Sequence, residues 1–72
     1  MLKVSTLSYN KEIDRYCIGT IDLHCGQCFQ VDNNGQWQDV RIEMGAKGWY
    51  LIGATKSIDE IYNEQIQVRI DM

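Results

Sequence analysis

The feature that most constrains this chain is a period of two in its apolar residues, cut at intervals by turns rich in glycine and asparagine. Val40 and Ile42 alternate with Asp39, Arg41 and Glu43, and Ile66, Val68 and Ile70 alternate with Gln67 and Arg69. Successive side chains of a strand point to opposite faces, so each such segment carries one apolar and one solvated face. An amphipathic helix would need an apolar period near 3.6 sustained over several turns, and no stretch has it. The 72 residues leave room for one domain, spanning 1–72, with no linker or internal repeat to divide it.

The turns set the order of the strands. Leu2, Val4, Thr6 and Ser8 alternate with Lys3, Ser5, Leu7 and Tyr9, which makes a first strand whose buried face the pattern leaves open. Tyr16-Cys17-Ile18 reads as a second strand ended by Gly19, and Ile21, Leu23 and Cys25 continue the alternation up to Gly26. Cys28 to Val31 and Gln36 to Glu43 flank Asn33-Asn34-Gly35, where Asn-Gly supplies positive φ at little steric cost and predicts a hairpin. Gly45-Ala46-Lys47-Gly48 turns the chain into Trp49-Tyr50-Leu51-Ile52, which is apolar on both faces and predicts a central strand. Ser57 and Glu60 stand at capping-box spacing, so Ser57 to Tyr62 predicts one short helical turn before a last strand at Ile66 to Ile70. The expected fold is all-β, a small antiparallel SH3-like barrel of five to six short strands with one helical turn; closure would leave no exposed edges.

Several functional classes are disfavoured. The net charge of −3 has the wrong sign for a nonspecific phosphate-backbone binder, and the seven lysines and arginines are scattered along the chain. No apolar run approaches the ~20 residues that span a bilayer, and the N-terminus lacks an apolar stretch of signal-peptide length, so a cytoplasmic protein is expected. A domain of this size buries only about 60% of its unfolded surface, which leaves little chain for a deep catalytic cleft. No Ser/His/Asp set, phosphate-cradling glycine loop or EF-hand spacing is present, and His24 is the only histidine. The expectation is a protein without enzymatic activity or cofactor.

His24-Cys25-Gly26-Gln27-Cys28, with Cys17 on the preceding strand, is the sharpest chemical feature. Two cysteines across such a turn, completed by Cys17 and His24, would supply the four ligands of a tetrahedral zinc site. Against this, adjacent strand residues such as His24 and Cys25 point to opposite faces, and a second close ligand pair is missing. A thioredoxin-type role needs the motif at a helix N-terminus, and nothing after Cys28 reads as a helix. The simpler reading makes Cys17 and Cys25 small core hydrophobes, with reduced thiols and no bound metal.

Trp37 shares a strand face with Asp39, Arg41 and Glu43 if that strand runs without a bulge, which sets a large aromatic among charges; a bulge near Gln38 would turn it inward. Arg41 and Glu43 read as a cross-strand ionic pair with neighbours on that outer face. Tyr9, Tyr16, Tyr50 and Tyr62 either converge on an aromatic groove with acidic neighbours or simply pack the core. Asp59, Glu60 and Glu64 form an acidic patch of the kind that favours the first turn of a helix. Trp37, Arg41, Tyr50 and Tyr62 are the candidate protein-binding residues.

Leu23-His24-Cys25-Gly26-Gln27-Cys28-Phe29, Gly35-Gln36-Trp37, Arg41-Ile42-Glu43-Met44, Gly48-Trp49-Tyr50-Leu51-Ile52-Gly53 and Val68-Arg69-Ile70 together resemble a family of short uncharacterised proteins, a domain of unknown function, from plasmids, phages and conjugative elements of Gram-positive Firmicutes. The likeness covers most of the chain. It departs at Gln27, where an acidic residue is usual, and at Asn63, near which a glycine is usual. The resemblance implies a mobile-element accessory protein and brings no catalytic or binding residues with it. The function expected is a noncatalytic protein-interaction module, monomeric or homodimeric, with an unidentified protein partner. The alternative is a nucleic-acid-associated barrel acting through Arg41, Lys47 and Arg69, or an acidic inhibitor of a host defence nuclease.

Overall fold

The computed structural model describes residues 1–71. The alternating segments form strands β1 (Leu2–Asn10), β2 (Arg15–Ile18), β3 (Ile21–Asp22), β4 (Cys28–Asn33), β5 (Gln36–Gly45), β6 (Gly48–Ile52) and β7 (Gln67–Asp71), with one helix, α1 (Ile58–Asn63), before the last. All pairings are antiparallel, in the order β3-β2-β1-β7-β4-β5-β6.

The expected all-β architecture with a single helical turn is present, built from seven strands rather than five to six. The sheet is not closed. Its terminal strands, β3 and β6, do not pair with each other. β1 is what lets one sheet wrap around a core: Leu2 to Thr6 pair with β7, whereas Leu7 to Asn10 pair with β2. One strand thus belongs to two half-sheets, and Leu7, the first residue after the change of partner, is almost fully buried.

A single core lies inside the curl. Leu7, Ile18 and Leu23 reach it from one half-sheet, and Phe29, Val31, Val40, Ile42, Val68 and Ile70 from the other. Burying an aliphatic side chain of this size is worth about 1.5–3 kcal/mol, so register is held by the cost of turning this face to water. The side between β6 and the β1–β2 half is covered by α1, which packs against β1 and β6 and adds Ile58 and Ile61 to the core. Its capping box is complete: Ser57 Oγ accepts from the Glu60 amide, and the Ser57 amide donates to the Glu60 carboxylate, both at 3.2 Å.

Two sequence expectations are corrected. Trp49 to Ile52 is an edge strand, not a central one; its two apolar faces arise because Trp49 and Leu51 pack on the core while Tyr50 and Ile52 face outward and are exposed. Cys25 is exposed, not a core residue, because the alternation stops at Leu23. The Gln27 amide donates to the His24 carbonyl at 3.1 Å and Gly26 has φ +83°, so a four-residue turn takes Cys25 out of the strand pattern. Cys17 is buried as expected.

Asn34 (φ +54°) and Gly35 (φ +89°) form the tight turn of the β4–β5 hairpin, and its ladder from Asn33↔Gln36 to Cys28↔Arg41 has no bulge. No described helix is long and apolar enough to cross a membrane.

Candidate functional site

Because the β4–β5 ladder is unbroken, Trp37 stays on the face opposite Val40 and Ile42. That outer face of the sheet carries no second layer, and large apolar side chains stand on it: Leu2 and Val4 on β1, Tyr50 and Ile52 on β6, each between 42% and 50% exposed. At its centre, register aligns Val4, Arg69, Gln30 and Asp39 across β1, β7, β4 and β5.

These polar side chains form a relay. Arg69 Nε donates to Gln30 Oε1 at 2.6 Å, and Gln30 Nε2 donates to Asp39 Oδ1 at 2.8 Å. The arrangement holds the Arg69 guanidinium 4.4 Å from the centroid of the Trp37 ring. A guanidinium on an indole face is attracted by the ring quadrupole and covers apolar surface at the same time. Trp37 is half-buried with Arg69 over its ring, and Arg69 forms no ion pair among the described residues.

Arg41 lies on the same face and pairs with Glu43 along its own strand at 2.9 Å, rather than across strands. Tyr50 is also on this face, but it opposes Glu43, six residues along β5 from Trp37, which places it about 20 Å away. Tyr62 is elsewhere. It sits on α1, packs on the core and meets Tyr16 edge-on with ring centroids 5.7 Å apart. Of the four candidate residues the structure thus puts three on one face and separates the fourth. Arg69, Gln30 and Asp39 complete the centre of that face; alternation marks all three as outward, but only register brings them beside Trp37.

The tyrosines form a second cluster. Tyr9 and Tyr16 rings lie 5.0 Å apart, and the Tyr16 hydroxyl donates to Asp59 at 3.2 Å. Burial, with Asp59 next, pushes the Tyr16 phenol up to about 12. The Tyr9 hydroxyl donates to the Asp14 carboxylate, which raises the Tyr9 phenol. The acidic patch on α1 is likewise engaged: Glu60 caps the helix, Asp59 accepts from Tyr16, and Glu64 pairs with Lys56 at 2.7 Å.

The cysteine constellation is dispersed. Cys17 is buried and donates to Asp22 Oδ1 at 3.2 Å, and burial followed by that carboxylate raises its thiol. Cys28 is on the outer face opposite Arg41, and Cys25 is in the turn. Among the described residues no three His, Cys, Asp or Glu side chains gather as metal ligands.

Comparison with known families places this surface in context. A model described as Domain of unknown function (DUF5348) matches residues 5–70. The chain belongs to that family. A crystal structure of a protein from Ruminococcus gnavus superposes with a TM-score of 0.77 at 37% identity, covering 93% of this chain and 99% of the other. No curated protein matches the chain. The DUF5348 match takes in every strand residue from Ser5 to Ile70, and with them Trp37, Arg69, Gln30 and Asp39.

Proposed function

We propose that the chain is a noncatalytic protein-interaction module, and that its partner docks on the outer sheet face around Trp37 and Arg69. The observation that carries this reading is the unlayered sheet face itself, on which an indole lies under an arginine that forms no ion pair among the described residues, with Leu2, Val4 and Ile52 exposed on the same face. Aromatic residues and arginine dominate binding energy at protein interfaces, and large apolar side chains grouped on a soluble surface mark docking sites. Asp39 lies beside the aromatic centre and accepts from Gln30, so the carboxylate there positions Arg69 over the indole.

The wider reading is an SH3-like sheet, left open between β3 and β6, in an accessory protein of a Gram-positive mobile element. The motif resemblance supports that origin, and three free thiols support a cytoplasmic setting. Arg41 and Arg69 also share this face, which is the observation behind the nucleic-acid alternative.

The test is a paired capture from a Gram-positive host lysate with the wild-type chain and Trp37→Ala, each with and without nuclease. The expected result is a protein retained by the wild type after nuclease treatment and bound about thirtyfold more weakly by the variant, as for a hot-spot aromatic. Equal retention by a folded Trp37→Ala overturns the docking face. Loss of retention on nuclease treatment transfers the reading to nucleic acid, with steep salt dependence as its signature.

A further inference from the structure

A second candidate site lies away from the Trp37 face. A cleft of about 480 Å³ between the β1–β2 turn, the turn before β4 and the β5–β6 hairpin is lined by Ile13, Arg15, His24, Met44 and Trp49, together with Asp14 and Cys25. Trp49 and the β1–β2 turn hold it in shape. The indole Nε1–H of Trp49 donates to the Asp14 carbonyl at 2.8 Å, and Asp14 has φ +51°, a left-handed conformation that aspartate tolerates.

Arg15 lies 5.8 Å from the Trp49 ring centroid and donates through Nη1 to the Leu23 carbonyl at 3.1 Å. That bond uses one of five guanidinium donors, and Arg15 forms no ion pair among the described residues. The carboxylate of the adjacent Asp14 accepts from the Tyr9 hydroxyl. Beside this half-buried cation stand Ile13, Met44 and the Trp49 ring, with Asp14, His24 and Cys25 as the polar part of the lining. Ile13 is 47% exposed and Met44 40%, so both carry aliphatic surface that nothing in the fold covers.

A planar fork of donors matches a carboxylate, and a thioether beside an indole and an isoleucine accommodates an aliphatic or aromatic side chain. A single arginine, in a chain of net charge −3, matches a monoanion better than a phosphate or a polyanion. We propose that this cleft receives the C-terminal carboxylate of a partner polypeptide ending in an apolar residue. The carboxylate lies on the Arg15 fork and the terminal side chain lies against Trp49 between Ile13 and Met44. The site is independent of the Trp37 face, since no cleft residue belongs to it.

The test uses nuclear magnetic resonance of the isotope-labelled chain, titrated with N-acetyl-leucyl-phenylalanine bearing a free carboxylate, with the same dipeptide as its C-terminal amide, and with inorganic phosphate. The expected result is saturable movement of the Trp49 indole N–H and Arg15 Nε–H signals with the acid. The amide should bind at least about tenfold more weakly, since it lacks the charge-assisted bonds, and the Trp37 indole should stay in place. Arg15→Gln should abolish the difference between acid and amide, and Arg15→Lys should restore only part of it. The wild-type acid-to-amide comparison decides the matter even if a variant folds poorly. Equal binding of acid and amide, an equal response to phosphate, or movement confined to Trp37 each overturns the proposal.

Discussion

The molecule places an arginine over a tryptophan twice, and the two places behave differently. Arg69 lies 4.4 Å from the Trp37 centroid on a regular strand face, whereas Arg15 lies 5.8 Å from the Trp49 centroid across the opening between the sheet's ends. On the regular face the ladder dictates which side chains are neighbours, so Arg69 is steered by Gln30 and Asp39 and its tryptophan supports nothing beneath it. Arg15 and Trp49, by contrast, stand on strands that do not pair with each other. Trp49 packs on the core and clamps a turn through its indole N–H. One tryptophan thus lies on the outside of a regular ladder, whereas the other is built into the core and into a turn.

That contrast can be broken most directly by truncating each tryptophan. Trp49→Ala should cost about 3 kcal/mol of stability, the low end for removing a large aromatic, because Trp49 is only half-buried. Trp37→Ala should cost about 1 kcal/mol or less while weakening partner binding about thirtyfold. Urea unfolding monitored by far-ultraviolet circular dichroism gives both values, and equal losses would end the distinction.

Next in size is the cover over the opening. Ser57→Ala removes the side-chain half of the capping box and should cost about 1 kcal/mol, read as a lower urea midpoint with an unchanged slope. An unaffected midpoint would mean that α1 stands without its cap.

The tyrosine cluster beside the opening adds a pH dependence. Tyr16 is pushed up to about 12 from an ordinary 10, chiefly by burial, so the fold favours its uncharged form. Its contribution is fully present below pH 10 and is lost as pH rises towards 12. Tyr9, raised by Asp14, titrates in the same direction, so Tyr16→Phe should flatten only part of the loss of stability across this window. Urea midpoints between pH 9 and 12 test it, and a slope identical to wild type would count against the role of burial at Tyr16.

The smallest effect belongs to the outer face. Arg41→Ala breaks an ion pair whose arginine is 50% exposed, and should change stability by about 0.5 kcal/mol or less. A larger loss in thermal melting would show that the outer face supports the fold after all.

Much of the fold was legible in the sequence because its signals are local. Asn34-Gly35, the capping box at Ser57 and Glu60, and the alternation through Val40-Ile42 and Val68-Ile70 each act within a few residues, and each appears as expected. The candidate site was half legible. Alternation put Arg41 outward but left Trp37 to the presence of a bulge, and it said nothing of Arg69 beside Trp37, since that contact joins residues far apart in the chain. Cys25 and Trp49 to Ile52 misled for a related reason. A local pattern reports which residues are apolar, not where a turn interrupts a strand or which strand lies at an edge.

Sequence by itself determined the strand-forming segments, their tight turns, the capped helix and the faces of β5 and β7, because steric preference at Asn-Gly and the two-residue period operate without distant partners. Only the tertiary structure decided that β1 changes partners after Thr6, that the sheet stops short of closing, and that each tryptophan meets its arginine. Those outcomes depend on how the buried faces of seven strands and α1 enclose one core, and that balance of burial and register exists only once all of them are in place.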